Sequence, residues 1–349
     1  MRQLSYWSDT DVNLYILDGS DEPISSKLKE LVNVNCKYVY SLTGFNERLF
    51  SATQLVTTKY VAVLCDDELY AKAGLIDCLR KLDTDPYLIG CSGRSILFHY
   101  RDGEIYGRHA YEKARSTADS FGDGLQRMKN GFHHGDPSNS PDLVFSVIRR
   151  EQWLKIFSVA YARTYGSGYV YEFAALLVGL YLGPMAVIDS LVWFRSGENP
   201  PVTQDNSVIR KVGMGEWGSS PQYEDEYNDF IFRISSTLEL EKKHSQDEVE
   251  ATVRQLSEQF FAYSIYKKKR LIAKWHKTLY FIFKLTPQGA KDFVKRIMTK
   301  RLSIILGYNG VEFLNTLKDM RFAEVSFDDV EMSDLRKFLL EFHEQLSAK

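Results

Sequence analysis

Apolar positions in the first hundred residues come in short runs separated by turns. Val12–Leu17 (VNLYIL) is rich in strand formers and stops at the turn Asp18-Gly19-Ser20. Ile24–Val32 has helical spacing after Pro23, and Lys37–Ser41 reads as a second strand. Phe45–Val56 puts Phe45, Leu49, Ala52 and Val56 on one face of a helix. Tyr60–Leu64 (YVAVL) is continuously apolar, as in a strand buried on both faces of a parallel sheet. Cys65-Asp66-Asp67-Glu68 follows at once, then a helix over Ala73–Leu82 and strands over Tyr87–Gly90 and Ser95–Tyr100. This βαβα order predicts an open α/β fold with a mixed, mainly parallel sheet flanked by helices.

From Asp102 to Pro141 the chain turns polar and glycine-rich, which predicts long functional loops. Leu143–Arg149 returns to strand and Glu151–Ala162 to helix. After the turn Tyr165–Gly168 come an apolar helix over Tyr171–Leu182 and a strand over Met185–Phe194. Gly213–Asp229 has the look of an acidic linker. Helices are predicted beyond it over Leu238–Tyr263, Leu271–Leu285, Lys291–Leu306, Gly310–Met320 and Ser333–Leu346. The expected division is an α/β domain over 1–212 and a helical C-terminal region over 213–349.

Composition changes this picture little. At 349 residues and 44% apolar the chain has ample material for a core, and its net charge of −2 argues against a nucleic-acid partner. Four cysteines without a CxxC pair, and an N-terminus without an apolar core, predict reduced thiols in the cytoplasm. The longest uncharged stretch, Phe173–Ile188, is short for a membrane span and is interrupted by Gly183-Pro184.

The informative chemistry is acidic. In an open α/β sheet ligands gather at the carboxyl ends of the strands, and both Asp18 and Asp66-Asp67-Glu68 fall there. Adjacent acids repel unless a cation neutralises them, and hard divalent ions take carboxylates together with substrate phosphates. The same residues also suit a helix cap, with Asp66 at its start and Glu68 complementing the dipole.

The order VNLYILDGSD, then RLFSATQLVTTKYVAVLCDDELY, then GLIDCLRKL, resembles the glycosyltransferase family 2 group with the GT-A fold, in its bacterial surface-polysaccharide branch. Met1–Trp7 resembles the helix that follows that family's first strand. The resemblance implies transfer of a sugar from a nucleotide-sugar donor, with UDP-sugars favoured, onto a glycan or lipid-linked glycan. It implies Mg²⁺ or Mn²⁺ and inversion at the anomeric carbon. Asp18, Gly19 and Ser20 would then meet the nucleoside, and Asp66 the diphosphate. Asp67 and Glu68 would face the metal, and Arg195 would stand near the donor phosphates. Under one alignment Cys65 occupies the motif's first acid position.

Glu172 opens an otherwise apolar helix behind a glycine-rich turn, so burial could raise its carboxyl towards neutrality and suit it to general-base duty. A plain first-turn dipole partner is the competing explanation. His134, in GFHHGDPS, is the next candidate base or acceptor contact, against a solvated loop role.

Between Lys267 and Arg301 twelve Lys or Arg stand against one acid, Asp292, interleaved with Trp275, Phe281 and Phe283. Such a run suits an anionic membrane surface, as in a peripheral enzyme on the inner face of the plasma membrane, or equally a solvated basic face. The alternative to an enzyme is a catalytically degenerate transferase-like module that binds a glycan or a partner.

Overall fold

The structure is a computed structural model. It describes residues 2–24, 35–117, 123–132, 135–197, 212–285 and 311–347, with the side chains of Arg2, 267–285 and 345–347 outside the description. The predicted helices over Ile24–Val32 and Lys291–Leu306 therefore fall wholly or almost wholly outside it, and so does His134. So do the side chains of the basic run 267–301, although helix Gln246–Leu285 carries its backbone as far as 285.

The fold is mixed α/β. Strands β1 (Leu14–Asp18) and β2 (Cys36–Tyr40) pair in parallel as a separate two-stranded sheet. The larger sheet has seven strands: β3 (Tyr60–Val61), β4 (Leu69–Tyr70), β5 (Gly90–Arg101), β6 (Glu104–Ala110), β7 (Val147–Arg149), β8 (Met185–Ser196) and β9 (Val311–Glu312). Gly90 pairs with both Met185 and Ile148, and Ser95 with both Trp193 and Ala110. Thus β8 runs along one edge of β5, while β7 and then β6 occupy the other.

The mainly parallel sheet expected from the sequence is corrected by these pairings. Among the described strands of the larger sheet β5 and β8 run parallel, and the other strand pairings are antiparallel. The predicted strand Tyr60–Leu64 shrinks to Tyr60–Val61, because the Val63 carbonyl accepts from the Tyr70 hydroxyl at 2.7 Å and is not committed to a neighbouring strand. The expected loop Asp102–Pro141 contains β6 and the helix Gly124–Gly131. Asp102 and Gly103 both have positive φ, 53° and 83°, and form the two-residue turn of a β5–β6 hairpin. The strands predicted at Tyr87–Gly90 and Ser95–Tyr100 are one strand, irregular between Ser92 and Ser95.

The predicted linker Gly213–Asp229 is folded. It forms helix Met214–Ser219 and the start of helix Glu224–Glu239, because Met214, Trp217 and Tyr223 are apolar anchors that the core takes up. The next helix begins at Gln246, after a turn in which Lys242 has φ 54°, and runs unbroken past Tyr263.

Two buried clusters hold the molecule. One surrounds helix Tyr169–Leu182, whose Phe173 stacks with Phe230 (5.7 Å) and Phe260 (4.8 Å). The other joins β4, β5 and β8 to Phe313, Leu335 and Leu339 of the C-terminal helices Phe313–Phe322 and Asp329–Ser347. Each cluster takes residues from both sides of position 212. Among the described residues no helix is long and apolar enough to cross a membrane.

Candidate functional site

The site forms where β4 meets β8. The antiparallel register Leu69↔Phe194 and Tyr70↔Trp193, carried one residue outward, sets Glu68 opposite Arg195. The loop before β4 is held from the N-terminal helix Arg2–Tyr6. The Gln3 amide donates to the carbonyls of Cys65 (3.2 Å), Asp66 (3.3 Å) and Glu68, and the Tyr6 hydroxyl donates to the Tyr70 carbonyl at 2.8 Å. Turning the carbonyls towards Gln3 fixes the orientation of the loop's acidic side chains.

Glu68 is 5% exposed and accepts from Trp193 Nε1 at 3.0 Å. Burial, and then the Asp67 charge, push its carboxyl up to about 8, although Arg195 and the indole work the other way. Asp66 is exposed and Asp67 half-buried.

The second half of the cleft comes from elsewhere in the chain. Tyr111 follows β6 directly, and the Ala110–Ser95–Trp193 pairing brings it onto Trp193, where the rings stack at 5.5 Å. Trp193 stacks in turn on Phe145 at 4.5 Å. Arg195 donates to the Tyr111 hydroxyl and lies over the Tyr111 and Trp193 rings at 5.6 and 6.0 Å. The Tyr111 hydroxyl also hydrogen-bonds to the carboxylate of Asp142, which accepts from the backbone N–H groups of Val144 and Phe145. Burial raises the Asp142 carboxyl against the pull of Arg195 and these donors.

Glu172 lies in the first turn of helix Tyr169–Leu182. Its side chain is exposed to solvent, and Asp142 and Arg195 lie near enough to act on it. Desolvation first, and the neighbouring Asp142 second, push its carboxyl up to about 7 in spite of Arg195. The helix dipole acts the other way and favours the ionised form. The turn before this helix is pinned from the C-terminal region: Glu226 Oε2 accepts from Gly166 N (2.7 Å) and Trp217 Nε1 (3.0 Å).

The structure therefore brings Glu68, Glu172 and Arg195 together, with Asp67 beside Glu68. Asp18, Gly19 and Ser20 are committed locally. Asp18 accepts from Ser20 N at 2.9 Å, from the Ser20 and Tyr38 hydroxyls and from Ile24 N at 3.5 Å. Burial acts to raise its carboxyl, and these donors hold it below the ordinary carboxylate range. Gly19 leaves room for the Arg48 guanidinium. Sequence reasoning missed Asp142, Tyr111 and Trp193. Only Trp193 carried a signal, since it shares the period-two face of β8 with Arg195.

Ligand atoms of Cys65, Asp67 and Glu68 lie within 4.8 Å of one another. Burial and the three following acids push the Cys65 thiol up, and a hard cation prefers oxygen to sulfur, which leaves a two-carboxylate oxygen set. That set fits a hard divalent cation completed by phosphate and water oxygens. No protein-family model matches the chain, and no curated protein is detectably similar to it in sequence.

Proposed function

We propose that this protein is a metal-dependent, inverting glycosyltransferase that moves a sugar from a nucleotide-sugar donor to a glycan or lipid-linked glycan. One observation carries the reading: Glu68, beside Asp67 in a carboxylate cluster suited to a cation, and the raised carboxyls of Asp142 and Glu172 gather about Arg195. The GT-A-like reading of the fold belongs to the same proposal. It draws support from the parallel β1–β2 unit and from the acidic loop that leads into β4.

Glu172 accepts the proton of the acceptor hydroxyl as that oxygen attacks the anomeric carbon. A carboxyl poised near neutrality can take this proton and later release it. Asp142 keeps Glu172 basic by adding negative charge beside it. Arg195 neutralises charge as it builds on the departing diphosphate. Asp67 and Glu68 would hold Mg²⁺ or Mn²⁺, which as a Lewis acid stabilises the leaving nucleotide. Asp66 borders the diphosphate, and the resemblance assigns Asp18, Gly19 and Ser20 to the nucleoside end. Peripheral attachment to the inner, anionic surface of the plasma membrane belongs to the proposal too, supported by the basic run 267–301 in the sequence.

Nucleotide release from UDP-sugars, with and without Mn²⁺, tests the reading. Asp67→Ala should abolish metal-dependent release, and Glu172→Gln should leave donor binding intact while lowering the rate at least about 100-fold. Full activity in Asp67→Ala would remove the metal assignment. Cys65 at the head of the acidic loop, where the resembled motif has an acid, favours one other reading, a catalytically degenerate transferase-like module that binds a glycan or a partner. Glycan binding with no nucleotide release from any donor would select it.

A further inference from the structure

We infer that the sugar handled by this cleft is uncharged, that its ring lies on Tyr111, and that donors carrying a uronate are excluded. The inference rests on the transferase reading and names the substrate class of the same site.

Tyr111 stands between the two ends of the cleft. Glu68 lies on the diphosphate side, Asp142 and Glu172 lie on the acceptor side, and all three act on it together with Arg195. The group that must sit between a departing diphosphate and an attacking hydroxyl is the transferred sugar. Tyr111 is built as a platform for it. The residue is 39% exposed, its ring is backed by Trp193 and Phe145, and its hydroxyl is held by Arg195 and Asp142. Its backbone sits at φ 55°, a left-handed conformation that tyrosine rarely adopts. That conformation persists because the stack and the two hydrogen bonds hold the ring in place. A fixed aromatic face rimmed by carboxylates matches a pyranose, whose apolar C–H face lies on the ring while its hydroxyls donate to the acids.

Charge then sets the class. From the loop before β4 come Asp67 and Glu68, from the segment before β7 Asp142, and from helix Tyr169–Leu182 Glu172. The cation that acts on all of Glu68, Asp142 and Glu172 is Arg195. A divalent ion and the donor diphosphate cancel each other; Asp67 and the single charge shared by Asp142 and Glu172 then outweigh Arg195, so the bound site keeps an excess of negative charge. A uronate on the sugar would add another anion within a few ångströms of these groups, in a partly desolvated cleft where such repulsion is strong.

Titration calorimetry in Mn²⁺ tests this with same-nucleotide pairs: UDP-glucose against UDP-glucuronate, UDP-galactose against UDP-galacturonate, and GDP-mannose against GDP-mannuronate. At least one neutral donor should bind, and its uronate partner should bind at least about 100-fold more weakly. Tyr111→Gly eases the left-handed backbone but loses the stack on Trp193 and two hydrogen bonds, so its binding is read well below its own Tm. The variant should weaken the neutral donor about tenfold more than it weakens the nucleoside diphosphate alone. Equal affinity for a uronate and its hexose partner, or equal weakening of donor and nucleotide in Tyr111→Gly, overturns the inference and leaves the transferase reading standing. If neither nucleotides nor donors bind, that reading fails and the inference falls with it.

Discussion

Glu68 and Glu172 are carboxyls that the fold keeps more basic than water would, and this has a thermodynamic consequence. A carboxyl raised from its ordinary 4.5 to about 8 favours the folded state fully below pH 4.5, and that contribution is lost as pH rises through about 8. Tm should therefore fall from pH 5 to pH 8 in metal-free protein. Glu68→Gln keeps an oxygen for Trp193 Nε1 and should flatten the decline, and adding Glu172→Gln should flatten it further. A wild-type Tm that holds steady or rises across this window would show that Glu68 is ionised in the fold. The acids at strand ends and Arg195 were legible in the sequence, because position after an apolar run is a local signal. Asp142 and Tyr111 were not. They reach the cleft only through pairings between segments far apart in the chain, and nothing in their own neighbourhoods announces it.

At the scale of elements the sequence was legible where periodicity is local and opaque where partners are distant. Helices Lys72–Thr84 and Tyr169–Leu182 fall close to their predicted spans. Strand direction did not, since an apolar run such as Tyr60–Leu64 reads alike in parallel and antiparallel sheets. The β5–β6 hairpin was readable in principle from Asp102-Gly103 and the alternation of EIYGRHA. Helix Lys72–Thr84 shows a cap that no local reading could find. Its N-cap residue is Ala71, without a capping side chain, and Glu331 from helix Asp329–Ser347 serves instead. The Glu331 carboxylate accepts from Lys72 N and from Ala73 N at 3.1 Å, and so supplies a negative charge at the helix's positive end. Glu331→Ala should cost about 1–2 kcal/mol, read as a lower denaturation midpoint with an unchanged slope. A loss of under about 0.3 kcal/mol would mean that water caps this helix as well as Glu331 does.

Over the whole molecule, the division at 212 that charge and glycine content suggest meets a core that runs straight across it. Phe230, Phe260 and Phe261 meet Phe173 of the helix that carries Glu172, β9 adds a strand beside β6, and helix Phe313–Phe322 packs on β6. Ser326 pairs with β8 through Leu191 N (2.8 Å) and the Asp189 carbonyl (2.7 Å). Cutting the chain at 212 would expose the faces of Phe173, Val178 and Phe194, and would also remove the cap at Lys72 and the Glu226 anchor of the Gly166 turn. Losing several large buried contacts, at roughly 2–5 kcal/mol each, exceeds the 5–15 kcal/mol that an ordinary domain has to lose. A 1–212 fragment should therefore bind ANS strongly, lack a cooperative melt and show no donor binding, while the full chain melts in one transition through the midpoint that Glu331→Ala lowers. A fragment that melts cooperatively and binds nucleotide would instead make 213–349 an accessory, and the cleft would then owe its geometry to the first 212 residues alone.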